Sequence, residues 1–97
     1  MQEKRCEVNT IAASICNSRI YSLLVYFWSN ENDEPIHVHV CKGSPQKDAT
    51  KVWITEDGPV LEHNKSKIPK KDLKRILAWI AMNDELIIKK WQFHFSK

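Results

Sequence analysis

The chain has 97 residues, 42% of them apolar, with four tryptophans and a formal charge of +3, which suits one domain and leaves no room for two. No apolar run approaches the roughly 20 residues that span a bilayer, and the odd set Cys6, Cys16 and Cys41, without C-x-x-C spacing, argues against a disulfide framework or a zinc ribbon. The charge is uneven: six Lys/Arg against nine Asp/Glu up to Glu62, then nine against three from His63 on, so an acidic front precedes a basic end.

Met1 to Asn17 is the least readable part. Ile11, Ala12, Ala13 and Ile15 fit a short strand or a turn of helix. The charged start, Met1 to Glu7, is not followed by an apolar segment of signal type, so a cytoplasmic location without membrane contact is expected. Ile20 to Trp28 reads as a strand apolar on both faces, hence central in its sheet. Ser29 to Glu34 is a polar turn closed by Pro35.

Ile36 to Cys41 alternates. Ile36, Val38 and Val40 point one way, and His37, His39 and Cys41 the other. Burial assigns the aliphatic set to the core, which puts both imidazoles on the opposite, open face. Lys42 to Lys47 is a loop. Thr50 to Thr55 is a further strand, with Lys51 and Trp53 on one face and Val52 and Ile54 on the other. Asp57-Gly58-Pro59 is a turn, and Val60 to His63 a short fourth strand.

Pro69 opens a helix, and Asp72 in its first turn suits the helix dipole. Leu73, Ile76, Leu77 and Ile80 repeat at helical spacing and continue to Ile87 and Trp91. Asn83 and Asp84 interrupt this run, giving either a kink or a second helix capped by Asn83. The fold class is therefore α+β: an antiparallel sheet of three to four strands, followed by a C-terminal helix, kinked or split near Asn83, on one face.

The segment Ser29-Asn30-Glu31-Asn32-Asp33-Glu34-Pro35-Ile36-His37-Val38-His39-Val40, with Lys42-Gly43 after it, resembles the signature S-N-E-x-x-E-P-P-H-I-H-V-x-K-G of the domain of unknown function family 4160 (DUF4160). Val25 to Trp28 fits upstream. Thr50-Lys51-Val52-Trp53-Ile54 is similar to the family's A-K-F-W-L, and Trp91 with Phe95 to its W-x-x-x-F end. The resemblance runs from Ile20 to Phe95. Ile36 replaces a second proline, Cys41 an acidic residue, and Ser22-Leu23-Leu24 a Gly-Tyr-Arg turn, so an arginine of the family pattern is missing. The family consists of small, functionally uncharacterised bacterial proteins, often encoded beside a small antitoxin-like protein. The resemblance implies a component of a toxin–antitoxin-like module whose partner is that neighbour. It implies no chemistry and no cofactor.

The candidate chemistry centres on His37 and His39. Two imidazoles at i and i+2 on a strand lie side by side and titrate near neutral pH. They suit metal-independent acid–base cleavage of RNA, or, with Cys41 as a third ligand, a metal site. Lys51 would offset phosphate charge, and Trp53 would stack a base or anchor a protein. Histidines held by structure or by a partner surface outweigh both chemical readings, and no second ligand cluster supports a metal. His63 and His94 read as ordinary surface positions. Lys67, Lys71 and Arg75 fall near one helical face with Lys70 and Lys74 beside it, a surface for an acidic partner or RNA, or a solvated face. Homodimerisation through a strand edge is also compatible with so small a domain. No Gly-rich phosphate loop, nucleophile elbow or H-E-x-x-H is present.

Overall fold

The computed structural model describes residues 8–13, 23–28, 34–43, 45 and 49–95. Among the described residues, five strands precede two helices: β1 (Val8–Ala13), β2 (Leu23–Trp28), β3 (His37–Lys42), β4 (Thr50–Thr55), β5 (Gly58–His63), α1 (Lys70–Met82) and α2 (Asp84–Phe95). The fold is α+β, as the sequence pattern indicates, with one strand more than expected. The added strand is β1, built from the segment whose pattern fitted strand and helix alike. The expected turn at Ser29–Glu34, apart from Glu34 itself, Ile15, and the cysteines Cys6 and Cys16 lie outside the described residues.

The sheet is an antiparallel meander in the order β1-β2-β3-β4-β5. Neighbouring strands follow each other in sequence, so every pairing closes through a short connection. Opposite residues share a face, which makes the register decisive. Val25 pairs with Val40 and Val38 with Val52. These side chains are buried with Leu23, Ile68, Ile76, Ile80 and Ile87 in the main core beneath the helices. Replacing any large member of this set by alanine costs roughly 2–5 kcal/mol.

The helical hairpin turns at Asn83. Its backbone N–H donates to the carbonyls of Trp79 and Ile80, and its side-chain Nδ2 donates to the Trp79 carbonyl at 2.8 Å. Asn83 therefore closes α1 with its side chain, and toward α2 its carbonyl accepts from the Ile87 N–H. The expected break falls at Asn83, whose side chain bonds the helix before it.

α1 starts at Lys70, with Pro69 as its cap residue in an extended conformation (ψ 145°). The approach to this start is fixed by a polar knot. Thr50 Oγ1 donates to Asn64 Oδ1 at 2.6 Å, the Thr50 N–H donates to Ser66 Oγ, and Ser66 Oγ donates to the Val40 carbonyl. Asn64 also accepts from the Ile68 N–H and donates to the Ile68 carbonyl. The knot ties the segment entering α1 to β3 and β4, so that Ile68 reaches the core. Lys67 within it has φ 56°, the left-handed region that costs a non-glycine residue about 1–2 kcal/mol.

Candidate functional site

The parity read from the sequence holds. Val38 and Val40 face the helices, and His37, His39 and Cys41 share the opposite face of β3. The expectation that this face lies open does not hold. His37 is 0% exposed and His39 6%, and Tyr26, Cys41 and Ala49 are buried beside them. The sheet buries side chains on both faces, because aromatic residues fill the second one.

Those aromatics form a continuous ladder of rings. Trp28 meets Tyr26 with centroids 5.6 Å apart, Tyr26 meets His39 at 5.6 Å, His39 meets His37 at 5.1 Å, and His37 meets Trp53 at 5.4 Å. The ladder follows from the register, since Tyr26 lies opposite His39 and Trp53 opposite His37. His37 Nδ1 lies 2.9 Å from the Pro35 carbonyl, to which it donates, fixing the tautomer and the ring plane. Trp91 of α2 completes the enclosure: its ring touches both His37, at 5.1 Å, and Phe27 of the helix-covered face, at 4.9 Å. α2 thus clamps the end of the sheet where β2 stops and β3 begins.

Lys51 and Trp53 adjoin the histidines, as their strand parity requires, but both heads are engaged within the chain. Lys51 Nζ donates to Glu34 Oε1 at 2.6 Å and stands 4.3 Å from the Trp53 ring centre. The Trp53 indole N–H donates to Glu62 Oε1 at 2.7 Å. Glu62 stands two residues beyond Val60, which pairs with Trp53, so strand alternation places it on the Trp53 face, and β5 carries a bulge at this point. Lys51 pairs with His63 and Val52 with Leu61, which leaves Glu62 as the extra residue. His63, opposite Lys51, is half-buried. Burial and then the Lys65 ammonium push its pKa down, while Glu62 pulls it up. His94 packs on Phe27 and Phe95. Neither histidine is the plain surface residue that its isolation in the sequence suggests.

The basic residues separate into two groups. Lys67 lies before α1 in the polar knot, so it does not continue a helical stripe with Lys71 and Arg75. The expected three-residue face loses a member, because the helix starts later than the lysine run. Lys70, Lys71, Lys74 and Arg75 are exposed on α1. Among the described residues no group of three His, Cys, Asp or Glu side chains is placed to hold a metal ion, so the structure does not assemble His37, His39 and Cys41 into a ligand set. No helix among the described residues is long and apolar enough to cross a membrane.

The sequence pattern missed Glu34, Glu62 and the tie between Trp91 and His37.

Residues 23–92, which span the ring ladder, the polar knot and nearly all of both helices, match the family model for the domain of unknown function DUF4160. The chain belongs to this family. In this DUF4160 domain the matched span begins with β2 and does not include β1. No curated protein and no solved structure matches the chain.

Proposed function

We propose that this DUF4160 domain is a protein-binding component of a bacterial, cytoplasmic, toxin–antitoxin-like module, and that its partner is the small antitoxin-like product of a neighbouring gene. One observation carries the reading. The face that would host catalysis is enclosed, while large apolar side chains stand out on the helices. Met82 is 83% exposed and Phe93 78%, and Leu86, two helical turns before Phe93, is exposed as well. Leaving such side chains in water forgoes about 1.5–3 kcal/mol each relative to burial, and exposed apolar groups of this kind mark contact surfaces.

Co-expression with the neighbouring gene product tests the reading. A single complex should elute on size exclusion, and Met82→Ser with Phe93→Ser should dissolve it while circular dichroism stays unchanged. A folded chain that never associates with that product defeats the reading. A mass of two copies of this chain alone would instead support a homodimer.

The adjacency of the His37 and His39 rings keeps one competitor in play, a metal-independent endoribonuclease. Expressing the parent beside His37→Ala and His39→Ala separates the two. Toxicity confined to the parent, with both variants folded, favours the nuclease. Equal toxicity of all three, or none, removes it.

A further inference from the structure

We infer that the exposed side of α1 is a docking groove for an acidic amphipathic segment of a partner protein. The inference rests on the protein-binding reading and names the chemistry of what binds. The groove has a volume of about 500 Å³ and is lined by Lys70, Lys71, Leu73, Lys74 and Leu77. Its composition has two parts. Leu73 and Leu77, one turn apart, are half-buried against the core from below and supply an apolar floor. Three exposed lysines surround that floor. The remaining acid of this turn, Asp72, is buried, so it adds no carboxylate to the exposed rim.

Charge and floor together select the occupant. An ammonium rim attracts carboxylates and steers association. A polyanion alone would use the lysines but gain nothing from Leu73 and Leu77. An apolar peptide alone would leave the lysines without a match. A helix that presents leucines along one stripe, with glutamates on either side, satisfies both parts at once and follows the usual helix-in-groove mode. RNA fits less well, since its backbone presents no apolar stripe and α1 carries no exposed aromatic in the groove for a base to stack on.

The test uses the full chain and a fluorescein-labelled 15-residue peptide with leucines at i, i+3, i+4 and i+7 flanked by glutamates, followed by fluorescence anisotropy. Saturable binding is expected. A chain carrying Lys70→Gln, Lys71→Gln and Lys74→Gln, all surface changes that leave the fold intact, should bind about tenfold more weakly. Peptides with Leu→Ser or with Glu→Lys changes should lose binding. No saturable change below about 1 mM, equal binding of the Leu→Ser peptide, or equal binding of a single-stranded RNA of the same length would each overturn the groove. The same triple variant, co-expressed with the neighbouring gene product, separates the two proposals. Undiminished co-purification sinks the groove and leaves the partner reading standing. Peptide binding without any co-purification does the reverse.

Discussion

Trp91 and His37 lie ring against ring, with centroids 5.1 Å apart, although one belongs to the last helix and the other to the first position of β3. The contact joins the two faces of the sheet, because Trp91 also packs on Phe27 and Phe95. It explains why His37 is buried on a face with no helix directly implied by the strand pattern. It also makes α2 the element on which the enclosure of the histidine pair depends.

Trp91→Ala should therefore lower stability by about 3–5 kcal/mol, with Trp91→Phe costing less. Urea denaturation followed by far-UV circular dichroism measures the difference. A loss below about 1 kcal/mol for the alanine variant would show that the clamp is not formed in solution.

The polar knot before α1 gives a second expectation. Asn64 serves Thr50 and both polar groups of the Ile68 backbone, so Asn64→Ala leaves part-buried partners unmatched. The expected cost is about 1–3 kcal/mol. Hydrogen exchange should show faster exchange at the Ile68 amide in this variant. An unchanged Ile68 rate would contradict the bonding described.

Lys67 offers a test in the stabilising direction. Its positive φ suits glycine or asparagine and punishes a β-branched residue. Lys67→Gly should match the parent or exceed it by up to about 1 kcal/mol, because relief of the backbone offsets the greater freedom of the unfolded chain. Lys67→Val should lose more than about 1 kcal/mol. Thermal melts of the pair decide it, and a valine variant as stable as the glycine one refutes the assigned backbone.

His63 sets a pH dependence. Its pKa is lowered in the folded chain, first by burial and then by Lys65. The unfolded chain, with a value of about 6.5, thus binds the proton more readily. The resulting contribution is fully present above about 6.5 and is lost as pH falls through the lower folded value. The stability difference between the parent and His63→Gln should accordingly shift against the parent between pH 7.5 and 5.5. Denaturant midpoints at several pH values test this, and a difference constant across the range would rule it out.

Much of the molecule is legible in the residues themselves. The alternation of Ile36, Val38 and Val40 with His37, His39 and Cys41 decides which side of β3 meets the helices, because burial of aliphatic area acts on every second residue. Pro69, Asn83 and the 3.6-residue spacing from Leu73 to Ile87 set the helices and their break for similarly local reasons. The environment of the histidines is not local. Whether an imidazole opposite the core meets water depends on Tyr26 across one strand, Trp53 across the other, and Trp91 more than fifty positions later in the chain. The engagement of Lys51 by Glu34, just before β3, and of Trp53 by Glu62 on the paired strand β5 likewise depends on how the strands pair. Sequence periodicity thus determined the direction in which each side chain points, while packing between elements far apart in the chain decided what each one meets.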